Sequence, residues 1–489
     1  MAPMKARTTN RRDFLRTVGL GGLTFAFPGR AGLASPRWSA PKDLDSAGAA
    51  AAGLPNFVFI LADDLGYQDL SCFGSTKNRT PNLDRLAAEG TRFTSFCSTS
   101  GVCTPSRSSL MTGCYPRRVS LHEDERGEWV LFPAARKGLH PAEITLAKLL
   151  KAKGYATQCL GKWHLGDQAP FLPLRHGFDG YFGIPYSNDM GASAGSPYPP
   201  LPLMRDSEVI EAPVDQDTLT ERYTREAVRF VGENRDRPFF LFLSHFVPHT
   251  PLHSGKRFQG KSNNGKYGDA VEEMDWSTGE VLAALQANGL DTRTLIIFAS
   301  DNGGVRGANN GPLNGAKGST LEGGHRVPFL ARWPVRVPAG KVCPELATMM
   351  DILPTFAFLA GLEPPRDRVI DGHDITALLE RPESAKTPTE VFNYYFMGQL
   401  QAVRSGRWKL HLPLKVKRHG WHLAPYEEKG MLFDLEADPG ERANVIADHP
   451  DIVTRLAALA EKAKMDIGDE DRDGKNQRPA GWVEKARPL

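Results

Sequence analysis

The densest chemistry in this sequence lies in Cys103-Thr104-Pro105-Ser106-Arg107, followed directly by Ser108-Ser109-Leu110-Met111-Thr112-Gly113. A cysteine, a proline two residues on and then an arginine mark the mouth of a helix, with Cys103 in its starting turn. The unpaired N–H groups of a first turn and the positive end of the helix dipole suit that mouth to an anion. Arg107 adds a planar cation that can fork onto a tetrahedral oxyanion. For a single cysteine, plain packing is the alternative.

The acidic pair Asp63-Asp64 and the dipeptide Asp301-Asn302 offer hard oxygen ligands without sulfur or imidazole. Such a set suits Ca2+ or Mg2+ rather than zinc. An Asp-Asp pair alone is as well explained by a turn or a helix cap; joined to Asp301-Asn302 and the Cys103 run, it reads as a metal site. Lys162 and Lys317, the latter in Gly315-Ala316-Lys317-Gly318-Ser319-Thr320, can neutralise oxyanion charge as it shifts toward a leaving group. His164 and His249 are candidates for proton transfer. His245 and His253 stand close to His249, and only the proline frame around His249 separates them.

These residues are far apart in the chain, so an architecture must gather them. Asn56 to Leu61 is a continuous apolar run, as in a parallel strand covered on both faces, and it ends at Ala62-Asp63-Asp64. Thr80 to Gly90 reads as a capped helix with a glycine stop, and Thr91 to Ser95 as a short strand leading to Cys103. Three further units repeat the plan. Helix 142–153 and strand 156–160 lead to Lys162 and His164; helix 218–234 and strand 239–243 lead to His249; helix 270–287 and strand 294–298 lead to Asp301 and Asn302. This alternation predicts an α/β sheet sandwiched by helices, with ligands at the carboxyl ends of the strands. Beyond a Pro- and charge-rich connector near 380–388, the runs 391–396, 400–404, 408–412 and 431–435 predict short antiparallel strands. Residues 451–464 predict an amphipathic helix, and the charged tail after Met465 reads as frayed.

The Cys103 run, with Thr112-Gly113 behind it, resembles the signature of the formylglycine-dependent sulfatases: Cys-any-Pro-Ser-Arg, then Thr-Gly. Gly161-Lys162-Trp163-His164, Pro248-His249-Thr250-Pro251 and the Lys317 loop with Leu321-Glu322-Gly323-Gly324 are similar to further strings of that family. Gly183 to Asp189 looks like its arylsulfatase A and N-acetylgalactosamine-6-sulfatase branch, with Asn188 where arylsulfatase A has a histidine. The resemblance implies an alkaline phosphatase-like fold: a large mixed, mostly parallel sheet flanked by helices, with a smaller C-terminal α+β domain carrying an antiparallel sheet. Catalytic residues would fall within 55–380 and the smaller domain within 389–489. The resemblance further implies that a formylglycine-generating maturation enzyme oxidises Cys103 to an aldehyde, whose hydrate is the nucleophile. Asp63, Asp64, Asp301, Asn302 and the modified Cys103 would hold a divalent cation, usually calcium in the family, with magnesium the alternative. Arg107, Lys162 and Lys317 would hold the sulfuryl oxygens. His249, with Lys317, would protonate the departing alcohol, and His164 would take the proton of the second hydroxyl to release sulfate. The implied substrate is a sulfate ester, of a sugar before a simple aryl alcohol. A phosphomonoester or phosphonate hydrolase on the same scaffold, and a non-catalytic carbohydrate-binding relative, are the alternatives. The loops 192–213 and 255–267 and the basic run His411 to His422 are candidates for shaping selectivity, whereas His122 to Arg126 reads as a solvated loop.

A chain of 489 residues has room for two domains, and a net charge of +3 gives no reason to expect nucleic acid. The six cysteines show no zinc-type spacing and are too sparse for a disulfide scaffold, with room for one bridge. Thr9 to Arg16, holding Arg11-Arg12, precedes the apolar run Val18 to Phe27 and small residues at Ala31 to Ala34. This reads as a twin-arginine signal peptide over 1–34, followed by a flexible spacer over 35–54. It predicts export by the twin-arginine machinery to the periplasm or beyond. No later stretch reaches membrane-span length, so the mature form is expected to have no span.

Overall fold

A computed structural model of the protein describes residues 53–192, 197–305, 307–414, 416–418 and 427–489; the expected signal peptide, nearly all of the spacer and part of the basic run His411 to His422 lie outside them. Strand β1 (Asn56–Ala62) is buried along its whole length. Phe57, Phe59 and Leu61 enter the core on one face of the sheet, and Val58, Ile60 and Ala62 the core on the other. Burial of a side chain of this size contributes about 1.5–3 kcal/mol. An apolar run with both faces covered thus becomes the axis of the sheet.

The same sheet contains β2 (Thr91–Phe93), β3 (Ala156–Gly161), β4 (Gly180–Gly183), β5 (Leu203–Arg205), β6 (Glu208–Glu211), β7 (Phe239–Ser244), β8 (Thr294–Ser300), β9 (Phe329–Arg332) and β10 (Lys341–Cys343). The spatial order is β10-β2-β9-β8-β1-β7-β3-β4-β5-β6. The central strands β8, β1, β7, β3 and β4 are parallel. Antiparallel β9 on one flank and the β5–β6 hairpin on the other make the sheet mixed. Helices α1 (Pro81–Ala88), α4 (Leu219–Glu233) and α5 (Gly265–Ala287) cover one face; α2 (Cys103–Thr112), α3 (Leu146–Ala152) and α6 (Ile352–Leu359) cover the other. Strands β11 (Phe392–Phe396), β12 (Gln399–Ser405), β13 (Trp408–His411) and β14 (Met431–Asp434) form a smaller antiparallel sheet in chain order. Helix α7 (Pro450–Asp466) packs Leu456 and Ala460 on it beside Leu400, Ala402 and Leu410. The α/β fold with a C-terminal α+β sheet is as expected from the sequence.

Five details differ. Gly90 does not stop α1 by turning left-handed; a Cβ there would lie 2.2 Å from the Ala331 carbonyl, so glycine allows β9 to approach. Part of the loop expected over 192–213 is the β5–β6 hairpin, and α5 begins at Gly265, inside the loop expected over 255–267. His122 and Asp124 are buried rather than solvated, with Asp124 accepting from the Arg126 and Glu128 backbones. The tail after Met465 is not frayed. Gly481–Trp482 pairs with Lys137–Gly138, Arg118 bridges Asp371 and Asp466, and Arg478 forks onto Glu143, 335 residues earlier. Its charges looked solvent-seeking because their partners are remote in sequence. Arg478→Ala is expected to leave the buried Glu143 carboxylate under-satisfied and to cost about 1–3 kcal/mol, read as a lower urea midpoint; an unchanged midpoint would contradict this docking.

Candidate active site

Strand register sets the site. Ala62 of β1 lies opposite Ser300 of β8, Leu61 opposite Ser244 of β7, and Gly161 of β3 opposite the same Ser244. Asp63, Asp301 and Lys162 therefore leave the sheet side by side at its carboxyl edge, where such folds bind ligands. Gly161 is required for this closeness: its φ is +95°, and a Cβ would fall 1.8 Å from the Ser244 carbonyl. Asp64 and His164 hold φ of 65° and 60°, a strained setting for non-glycine residues that costs of order 1–3 kcal/mol and clusters at functional sites.

Helix α2 brings Cys103 to this rim. All ten of its residues are buried, and Val102 at its N-cap is extended and offers no side-chain cap, so the first-turn N–H groups face the site. Cys103, Asp63 and Asp301 present ligand atoms that all lie within 4.8 Å of one another. Arg107 is clamped on three sides: its Nε donates to Asp301 Oδ2 at 2.9 Å, and one terminal nitrogen donates to the Lys162 carbonyl at 2.8 Å and to Ser244 Oγ at 2.6 Å. Lys162 Nζ donates to Asp63 Oδ2 at 2.6 Å, and Lys317 Nζ to Asp64 Oδ2 at 2.8 Å. His249 Nε2 stands 3.4 Å from that same Asp64 oxygen, while its Nδ1 faces the Thr250 carbonyl. Asn302 Nδ2 donates to Asp64 Oδ1 at 2.7 Å. His164 Nε2 lies 2.8 Å from the Leu131 carbonyl, which fixes it as the donor and leaves Nδ1 as a bare acceptor.

All ten residues singled out from the sequence are thus gathered at one strand rim. Of the neighbouring histidines, His253 is turned to Asp217 Oδ1 at 2.7 Å, and His245 is buried with no hydrogen-bond partner on its ring. Two participants were not foreseen. Ser187 Oγ accepts from Lys162 at 3.0 Å, and Ser244 links Arg107 to the Lys162 carbonyl. Ser187 lay within the noted string Gly183 to Asp189, so a buried hydroxyl there was findable; Ser244, at the end of an apolar strand, gave no signal. Asn188 donates to Gln216 Oε1 and the Pro251 carbonyl, both at 3.1 Å. Within the basic run, buried His411 meets Glu441 at 2.8 Å, whereas Val416 and Arg418 are exposed.

The electrostatics suit a divalent cation. Burial pushes Asp63 up, but Lys162, His249, Arg107 and Lys317 outweigh it and hold the carboxyl well below the usual range. Burial, then the Asp63 charge, push Asp301 up to about 7. Two buried carboxylates in mutual repulsion, with Asp63 Oδ1 and Asn302 Oδ1 lacking hydrogen-bond partners, form the donor set a hard dication satisfies. Burial also pushes the Cys103 thiol up against the pull of Lys162 and Lys317. An unmodified cysteine here has little thiolate character.

The sulfatase family model matches residues 55–362, and a model described as the C-terminal part of N-sulphoglucosamine sulphohydrolase matches residues 317–465. The chain is similar to the N-acetylgalactosamine-6-sulfatase of Canis lupus familiaris, at 35% identity over 88% of this chain and 90% of that one. It is also similar to the steryl-sulfatase of Mus musculus, at 37% identity over 84% of this chain and 82% of that one. Among solved structures, Ps i-CgsB in complex with k-i-k-neocarrahexaose aligns with a TM-score of 0.71 and 31% identity, covering 86% of this chain and 95% of that one. Family model, relatives and fold agree over most of the chain, which makes this protein a member of the sulfatase family and an enzyme that hydrolyses sulfate esters.

Proposed function

We propose that the enzyme releases sulfate from carbohydrate sulfate esters, and that its nucleophile is the hydrate of an aldehyde made from Cys103. The observation that carries this reading is the placement of the Cys103 side chain within 4.8 Å of carboxylate oxygens from both Asp63 and Asp301, at an open helix mouth. The carbohydrate substrate draws support from the N-acetylgalactosamine-6-sulfatase and neocarrahexaose-bound relatives; the steryl-sulfatase is the counterexample that the experiment must address.

A divalent cation held by Asp63, Asp64, Asp301 and Asn302, calcium in the resembling family, would supply positive charge beside the sulfuryl oxygens. Arg107 and Lys162 are immobilised by Asp301, Ser244, Asp63 and Ser187, so they meet developing charge without reorganising. Lys317 and His249 share Asp64 Oδ2 and form the proton source for the departing alcohol. Burial, then Lys317, push His249 down, while Asp64 outweighs burial and holds Lys317 well above the usual lysine range. The proton therefore rests on Lys317 in the free site. His164, neutral through burial and with Nδ1 unengaged, is the base for the second hydroxyl of the hydrate.

The arginine pair Arg11-Arg12 and the apolar run behind it support export of the folded chain by the twin-arginine route, with a formylglycine-generating enzyme acting on Cys103 beforehand. One experiment addresses both parts. The mass of the Cys103 peptide, measured in cytoplasmic precursor and exported protein from the native host, is expected to show thiol-to-aldehyde conversion in both. An unconverted exported protein that still releases sulfate would overturn the nucleophile, and conversion confined to exported protein would overturn the order. Sulfate release from defined sulfated sugars is expected to exceed that from a sulfated sterol; the reverse would overturn the substrate class.

A further inference from the structure

The loop that carries Lys317 is held from two sides. Toward the site, the Lys317 N–H donates to the Gly304 carbonyl at 3.1 Å and the Gly318 N–H to the Gly101 carbonyl at 2.8 Å, which ties it to the segment just before Cys103. On the other side the loop meets the C-terminal sheet. Thr320 Oγ1 donates to Gln401 Oε1 of β12 at 2.8 Å. The Glu322 N–H donates to Glu441 Oε2 at 2.6 Å. Glu322 Oε1 accepts from Tyr394 of β11 at 2.7 Å and from Lys409 of β13 at 3.0 Å. Lys409 Nζ reaches Glu441 Oε1 at 2.9 Å and lies 3.8 Å over the Tyr394 ring. The side chains of Glu322, Lys409 and Glu441 are all 0% exposed.

We infer that this buried Glu322–Lys409–Glu441 cluster is a positioning device for Lys317, with Glu322 supplied by the active-site loop, Lys409 by the C-terminal sheet and Glu441 by the connection that follows it. Charged groups this deeply buried are a costly way to join two sheets, and apolar side chains of the same volume would do so at least as well. Ions and hydrogen bonds add direction. They fix both the backbone and the side chain of residue 322, five residues from Lys317, in three dimensions, where apolar contacts would allow the loop to slide. Lys409 and Glu441 are engaged with Glu322, Tyr394, His411 and each other rather than with Asp64 or Cys103, so they act through the loop and are positioning residues, not catalytic ones. The inference rests on the proposed role of Lys317.

The test is a double-mutant cycle in the full-length, aldehyde-bearing enzyme. Lys409→Met is expected to lower kcat by about 10–100-fold per folded molecule, the cost of a misplacement of about 1 Å, with a smaller change in KM. In a Lys317→Ala background the same change is expected to cost less than about twofold, because no group is left to position. Glu441→Gln, nearly isosteric, serves if Lys409→Met folds poorly. Arg332→Met, which breaks ion pairs to Glu89 and Asp291 at the opposite edge of the sheet, controls for lost stability and should keep kcat. Equal losses in both backgrounds, or a folded Lys409→Met with the kcat of the parent, would overturn the inference. Calorimetric binding of inorganic sulfate gives a readout that needs no turnover. Affinity should fall about tenfold in Lys409→Met and no further when Lys317→Ala is added; an unchanged affinity counts against the device. An enzyme that turns over no sulfate ester would instead sink the catalytic reading, and the sulfate affinities would still judge the loop.

Discussion

Replacing Cys103 by serine is expected to end sustained sulfate release, lowering the steady-state rate by about 10⁴-fold or more, while leaving at most one sulfate processed per enzyme molecule. Serine is close to cysteine in shape, so helix α2, whose ten residues are all buried, should keep its packing. Its hydroxyl would sit at the same open helix mouth, beside Asp63 and Asp301, and could attack sulfur once. The product would be a sulfate ester on the enzyme. A hydrated aldehyde escapes that state because its second hydroxyl can lose a proton and expel sulfate; serine has no second hydroxyl, and His164 Nδ1 would have nothing to deprotonate. The measurement is released alcohol against released sulfate: one equivalent of alcohol per site with no matching sulfate is expected. Continued turnover of both products would rule out the hydrate as nucleophile.

The sequence made β1 and its acidic end legible because a two-sided apolar strand followed by Asp63-Asp64 is a strong local pattern. The Cys103 turn was legible for a similar reason: Cys103, Pro105 and Arg107 lie together in the first turns of one helix and mark its mouth and charge. What could not be read was anything settled by partners hundreds of residues apart. Ser244 is one more residue of an apolar strand until Arg107 donates to it. Glu322 looked like part of a glycine-rich loop, yet its charge is met by Lys409 of the other sheet. The tail past Met465 looked solvated for want of Glu143 and the Lys137–Gly138 edge. Charge has no fixed meaning in a single sequence: an exposed arginine and one clamped between buried carboxylates are the same letter. The acidic ends were gathered by strand register and Cys103 by the packing of α2, neither of which local patterns encode; the parallel α/β plan implied it only through the rule that strand ends share an edge.

Arg107→Met should have the second large effect, and on stability as well as on rate. Asp63 and Asp301 are both fully buried, and Arg107 contacts both, at 2.9 Å to Asp301 Oδ2 and 3.5 Å to Asp63 Oδ1. Methionine fills much of the arginine stem but leaves Asp301, the Ser244 hydroxyl and the Lys162 carbonyl without that donor, and Asp63 without its nearby cation. Removing one partner of a buried ion pair costs about 3–5 kcal/mol, because the remaining charge stays desolvated. In excess chelator the urea midpoint should fall accordingly. Added Ca2+ should recover part of the loss, since a dication among the same oxygens supplies some of the missing positive charge. The rate of sulfate release should fall by about 10²–10³-fold, the usual cost of one preorganised donor at a developing anion. Arg107→Lys separates the two roles. An ammonium keeps the charge, so most of the stability should remain, but it cannot reach Asp301, Ser244 and the Lys162 carbonyl with one rigid fork, so the rate should stay low. A methionine variant that unfolds at the parent's midpoint in chelator would mean that Arg107 does not offset the buried acidic pair, and the electrostatic case for a cation at this rim would lose its basis.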